Sequence, residues 1–97
     1  MPTIAIKEPG KAREKLEVED TLKTYQDIVG GWIDPFHTSN NGVEYFCNEE
    51  GRLRGLEPNV VVRGQTIVGT IFAVRMNEEG EFESLRDEDL LRILGNR

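Results

Sequence analysis

The sequence predicts an α+β fold, a mainly antiparallel sheet of hairpins with two helices packed on one face. Three observations lead there. Short β-rich runs follow one another with turn residues between them, instead of alternating strictly with helices. Two stretches, one ahead of Gly30 and one at the C-terminus, repeat their apolar residues at helical spacing. The tetrapeptide Asn-Glu-Glu-Gly occurs twice, at residues 48–51 and 77–80, with Leu53 and Leu56 after the first copy matched by Phe82 and Leu85 after the second. At 97 residues the chain forms one domain, residues 1–97, large enough to bury somewhat over ~60% of its unfolded surface without disulfides.

Thr3-Ile4-Ala5-Ile6-Lys7 is a short strand ended by Pro9-Gly10, and residues 15–19 alternate with period two, so the pair forms a hairpin. Asp20 or Thr21 offers an N-cap for a helix over 21–29, in which Leu22, Tyr25, Ile28 and Val29 form one apolar face and Gly30 supplies the left-handed end. Gly31-Trp32-Ile33-Asp34-Pro35-Phe36 is the next strand, at an edge or a strand end because Pro35 has no N–H to donate. Ser39-Asn40-Asn41-Gly42 turns the chain, Asn-Gly suiting a type I′ hairpin. It returns as Val43-Glu44-Tyr45-Phe46-Cys47, with Val43, Tyr45 and Cys47 on one face and Phe46 on the other. A turn-rich connection through Gly55, Pro58 and Asn59 leads to the most apolar run, residues 67–74, placed at the centre of the sheet with Gly69 as a bulge or close approach. The second tetrapeptide turns into the short strand Glu81-Phe82-Glu83. Ser84-Leu85-Arg86-Asp87 has capping-box spacing, and Leu90, Leu91, Ile93 and Leu94 form the stripe of a last helix, with Arg92 and Arg97 towards its end, matching the helix dipole.

Composition narrows the function. The net charge of −6 is uneven: residues 77–97 carry seven acids against three arginines, whereas residues 37–76 balance four against four. Direct nucleic-acid binding is disfavoured, because neutralising phosphates requires a basic patch. The acidic segment instead suits a basic partner, or simply solvation. No apolar run is long enough to cross a membrane and no signal core follows Met1, so a cytoplasmic protein is expected. A single cysteine, Cys47, excludes an internal disulfide and a cysteine-rich zinc site.

Both tetrapeptides are read as hairpin turns, with asparagine capping its own backbone and glycine rejoining the strands. Neither has calcium-loop spacing, and adjacent exposed glutamates stay ionised, which removes paired acid/base catalysis. Gly64-Gln65-Thr66-Ile67-Val68-Gly69-Thr70 imitates a phosphate loop but has Thr70 where lysine belongs. His37 and Cys47 suggest a base and a nucleophile, yet the phase of Cys47 with Val43 and Tyr45 makes it a small buried hydrophobe. No catalytic residue, metal ligand or cofactor is therefore expected. Trp32, at a helix-to-strand junction, reads as core, although Gly30 and Gly31 would also let a ligand or partner approach the backbone. Arg52, Arg54 and Arg63, with Asn59 between them, are solvated loop charges or a cluster able to hold an anion or a partner's carboxylate.

Three stretches resemble a known family: Leu22-Lys23-Thr24-Tyr25-Gln26-Asp27-Ile28-Val29-Gly30-Gly31-Trp32-Ile33, Cys47-Asn48-Glu49-Glu50-Gly51-Arg52-Leu53-Arg54-Gly55-Leu56-Glu57-Pro58-Asn59, and Ile67-Val68-Gly69-Thr70 before the second tetrapeptide. They look like the domain-of-unknown-function family 3846, from Lys7-Glu8-Pro9-Gly10 to Asp87-Glu88-Asp89. The resemblance implies a small protein of bacteria, phages or mobile elements with no established catalytic motif, and it draws attention to Asn48, Asn59 and the nearby arginines. The expected function is a non-enzymatic binding or regulatory protein, in counter-defence or host takeover. It would bind a host protein or a small anionic ligand such as a signalling nucleotide through Gly30, Gly31, Trp32, Asn48, Arg52, Arg54, Asn59 and Arg63. The alternatives are an acidic decoy that blocks a basic groove, and a weak enzyme using Cys47. Pairing of edge strands into a homodimer or higher homo-oligomer is also open.

Overall fold

A computed structural model describes residues 1–39 and 41–95; Asn40 of the predicted turn and Arg97 of the predicted helix end lie outside the described residues. The elements run β1 (Thr3–Lys7), β2 (Glu14–Glu17), α1 (Leu22–Val29), β3 (Ile33–Thr38), β4 (Val43–Asn48), β5 (Pro58–Val62), β6 (Gln65–Val68), β7 (Ile71–Met76), β8 (Phe82–Glu83) and α2 (Asp87–Leu94). The main sheet has the order β2-β1-β7-β4-β3, with β8 also beside β7, and its pairs are antiparallel. The fold is α+β, as the sequence predicts, and the apolar β7 is central with five of its six residues buried. Pro35 lies on the edge strand β3, at a bulge between Pro35 and His37.

Local chemistry sets α1. The Thr21 hydroxyl accepts the Thr24 N–H at 3.1 Å, and Gly30 closes the helix in the left-handed region, donating to the Gln26 carbonyl at 2.7 Å. Its apolar face places Tyr25 and Val29 on Ile4, Phe46, Phe72 and Val74. The Tyr25 ring lies 5.2 Å from Phe72 and 4.8 Å edge-on from Phe82, so aromatic packing joins helix, sheet centre and β8. The Tyr25 hydroxyl donates to Asp20 at 2.9 Å, and burial followed by that bond raises its pKa above the usual range.

The two helices do not share a face, contrary to the expectation above. Strand alternation puts Ile4, Phe46, Phe72 and Val74 on one side and Ala5, Val43, Tyr45 and Ala73 on the other. The first set lies under α1, while Leu90 and Ile93 of α2 pack on the second. Both faces of this sheet are apolar, and each needs cover. Of the predicted stripe on α2, Leu91 remains 67% exposed.

The run at residues 67–74 is two strands rather than one. Gly69 breaks it: φ is +80°, and a Cβ there would stand 2.7 Å from Leu56 Cδ1. Before the break β6 pairs with β5 in a separate ribbon, which occupies the stretch read as a turn-rich connection. The ribbon shields the remainder of the α2-bearing face through Ile67, packed with Cys47 and Ile71.

The predicted capping box also resolves differently. Ser84 Oγ accepts the Thr3 N–H at 2.9 Å, while the Arg86 N–H donates to Asp89 Oδ2 at 2.8 Å. Asp89 is fully buried and takes two bonds from Arg75, at 2.7 and 3.1 Å, and one from Arg92 at 3.2 Å. Burial alone would raise its pKa, but Arg75, the Arg86 N–H and Arg92 together hold it below the ordinary carboxylate value. The pair joins the strand before the second tetrapeptide to the helix after it.

Candidate partner-binding site

The first tetrapeptide does not make a hairpin. β4 ends on Asn48, and the chain turns through residues 49–55 into a strand of the other sheet. Asn48 is buried and used at both ends of its amide: Oδ1 accepts the Glu50 N–H at 2.7 Å, and Nδ2 donates to the Val29 carbonyl at 3.1 Å. It thereby satisfies a carbonyl at the end of α1 that the helix cannot. Arg54 Nη1 donates to the Gly30 carbonyl at 2.9 Å, and the Glu49 N–H donates to the Trp32 carbonyl at 2.8 Å. Three bonds thus tie the 48–54 loop to the 29–32 junction.

Space is tight for anything but glycine at the contact. A Cβ on Gly31 would meet Asn48 Nδ2 at 3.0 Å and Arg54 Nη1 at 3.1 Å. A Cβ on Gly51 would meet Val68 Cγ2 at 2.8 Å, so the loop also presses on the ribbon. Arg52 holds that second contact, its Nη2 donating to the Thr66 carbonyl at 2.7 Å.

Gly30, Gly31, Trp32, Asn48, Arg52 and Arg54 are therefore brought together, and the other two predicted residues are not. Asn59 donates to the carbonyls of Lys7 and Gly69, both at 2.8 Å, and accepts from Lys7 Nζ, so it fastens the ribbon to β1. Arg63 is exposed at the ribbon tip between Val62 and Gln65, with φ of +52°. Trp32 is not core: it is 63% exposed, because the anchored backbone turns its side chain outward beside Gly30 and Gly31.

Leu53 is 89% exposed on the same loop and was not among the predicted site residues. The signal for it is an isolated leucine between two arginines in a loop. Beside it opens a cleft of about 360 Å3 lined by Asp34, Phe36, Cys47, Glu49, Glu50 and Arg52, among others. The charged residues in its lining are three acids and one arginine.

Cys47 lies at this cleft but is buried, and burial followed by the charge of Asp34 pushes its thiol up to about 11. It is a thiol, not a thiolate, at neutral pH. The strand register sets Asp34 opposite Cys47 and His37 opposite Tyr45, so the imagined cysteine–histidine pair does not form a register pair. Among the described residues no group of three or more His, Cys, Asp and Glu converges as a metal would require. None of the described helices is long and apolar enough to cross a membrane.

No curated protein and no solved structure matches the chain. One family profile, Domain of unknown function (DUF3846), matches residues 2–95, nearly the full length, and the chain belongs to that family.

Proposed function

We propose that this protein is a non-enzymatic binding or regulatory protein that engages a protein partner through Trp32 and Leu53. One observation carries the reading: two large apolar side chains stand 63% and 89% exposed on segments locked together by Asn48, Glu49 and Arg54. Holding such anchors in place before binding lowers the ordering cost of association, and tryptophan is among the strongest interface anchors. The surrounding acids Asp27, Asp34, Glu49 and Glu50 favour a partner whose apolar pocket has a basic rim. A small anion is the weaker occupant of this face, since Arg52 and Arg54 already bond to carbonyls and the cleft lining is mostly acidic. In the phage or mobile-element setting that the family likeness implies, the partner is a host protein in the cytoplasm.

Affinity capture from the host lysate tests this with Trp32→Ala and Leu53→Ser beside the unaltered protein. A partner retained by the unaltered chain and lost by about tenfold or more with Trp32→Ala supports the reading. Equal retention by all three proteins contradicts it.

A second reading, an acidic decoy, has its own observation. Glu78, Glu79, Glu81, Glu83, Asp87 and Glu88 are exposed, and Asn77 Nδ2 holds the carboxylates of Glu81 and Glu83 at 3.2 and 3.1 Å. Asp89 does not join them, being buried in its ion pair. The decoy predicts salt-sensitive capture of a basic protein, abolished by the six amide substitutions and untouched by Trp32→Ala. Capture unchanged by the six substitutions rules it out.

A further inference from the structure

On the face of the sheet that carries α2, basic side chains flank an apolar row. One row across it can be followed through the strand register: Lys15 opposite Ala5, Ala5 opposite Ala73, Ala73 opposite Tyr45, and Tyr45 opposite His37. Two alanines in the middle of the row leave room that larger side chains would fill. Into it come Tyr45 and Ile93, which with Arg13 and Lys7 line a narrow slot over Ala5 and Ala73. The same Tyr45 and Ile93 wall a wider cleft of about 400 Å3 between α2 and the β3–β4 turn, together with Val43, Asp89 and Arg92. That volume is within the range of small-molecule sites.

The polar groups there are suited to a negative charge. Arg92 lines the wider cleft and Arg13 the adjoining slot, with Tyr45 common to both, and both charges act on its hydroxyl against the effect of burial. The Asp89 charge acts the other way on Tyr45, while its oxygens accept from Arg75, Arg92 and the Arg86 N–H. Arg92 is 58% exposed at its side chain, so it keeps donors for a ligand beyond its one bond to Asp89. Glu44 of β4 lies on the other face, in phase with Phe46. The His37 ring sits 5.4 Å from Tyr45 and the Phe36 ring 6.1 Å from it, because the bulge in β3 brings both residues alongside Tyr45.

We propose that this cleft binds a small organic anion, a phosphate or carboxylate on a compact ring. The anionic group is held between Arg92 and Arg13 at the Tyr45 hydroxyl, and the ring rests on Val43, Tyr45 and Ile93. The site shares no residue with the Trp32 face and does not depend on the protein-binding reading. It also places the expected small-anion chemistry away from Arg52, Arg54 and Arg63.

Titrations of the isotope-labelled chain with phenyl phosphate, AMP and inorganic phosphate, followed by NMR, test the proposal. The expected result is saturable shifts at Val43, Tyr45, Arg92 and Ile93 with phenyl phosphate or AMP. Arg92→Gln and Arg13→Gln should each weaken binding about tenfold, the loss of one charge-assisted hydrogen bond, and Trp32→Ala should leave it unchanged. Tighter binding of AMP identifies a nucleotide-class ligand, and tighter binding of phenyl phosphate a compact aryl anion. Arg13 is exposed, and Arg92→Gln leaves Asp89 paired with Arg75, so both variants should keep the fold. The proposal is overturned if neither organic probe gives saturable shifts at millimolar concentration. Affinity unmoved by both arginine substitutions, or inorganic phosphate binding as tightly as the organic probes, overturns it too.

Discussion

At residues 48–51 and again at 77–80 the chain makes the same first turn from the same four letters. Asn48 Oδ1 accepts the Glu50 N–H at 2.7 Å and Asn77 Oδ1 accepts the Glu79 N–H at 2.9 Å, and each glycine N–H returns to the asparagine carbonyl, at 3.2 and 3.0 Å. Beyond that turn they differ. Asn77 spends its remaining amide on Glu81 and Glu83 at the surface, whereas Asn48 is buried and bonds to α1. Gly80 has φ of +83° and open space where a Cβ would stand, while Gly51 has no positive φ but lies against Val68. Local sequence fixes a turn, and tertiary contacts decide whether it joins two strands or anchors a loop.

The largest expected effect concerns what holds the second copy in place. Asp89→Ala leaves Arg75 buried at 11% side-chain exposure without its partner and should cost about 3–5 kcal/mol in urea denaturation. A cost near that of an exposed pair, about 0–1 kcal/mol, would mean the turn itself holds β8 and α2. The folded pKa of Asp89 is depressed, so its stabilisation is present above the ordinary carboxylate value and is lost as pH falls through the lower folded value. Asp89→Asn should therefore flatten the acid limb of the stability profile, and an unchanged limb would refute that linkage.

Next come the glycines. Gly51→Ala forces a contact with Val68 and should cost about 1–3 kcal/mol. Gly80→Asn should cost about 0.5 kcal/mol or less, since asparagine tolerates the left-handed conformation and nothing blocks its side chain. Equal costs would remove the distinction between a close approach and a backbone requirement.

Much of this division is not legible in the sequence. Apolar spacing and caps give β1, α1, α2 and the β3–β4 and β7–β8 hairpins, because those signals are local. They cannot tell which face of a sheet a helix covers, so the placement of α1 and α2 on opposite sides becomes visible only once Ile4 and Ala5 are seen pointing apart. The β5–β6 ribbon escapes because Pro58 and Asn59 read as turn residues and residues 67–74 read as one strand; Gly69 marks the break without revealing it. In the site, Asn48 and Gly31 are legible as unusual, but their close approach is not. Trp32 reads as core at a helix-to-strand junction and proves exposed, as does Leu53 on the 48–54 loop.

The smallest effect is chemical. Cys47 should react with a thiol reagent in the native state at least about tenfold more slowly than in urea, reflecting burial and a thiol pKa of about 11. Rapid native labelling would restore it as a nucleophile beside the first copy.

The central claim is that Asn48 anchors the 48–54 loop to the end of α1 while Asn77 only shapes a hairpin. Native-state amide hydrogen exchange tests it most directly, read at Glu49, whose amide bonds to Trp32, and at Arg54, whose amide bonds to Glu50. Asn48→Ala should lower protection at both amides by about tenfold or more, in keeping with roughly 1–3 kcal/mol for a buried carbonyl and N–H left without partners. Asn77→Ala should leave both unchanged. Equal losses from the two substitutions, or none from Asn48→Ala, would contradict the account.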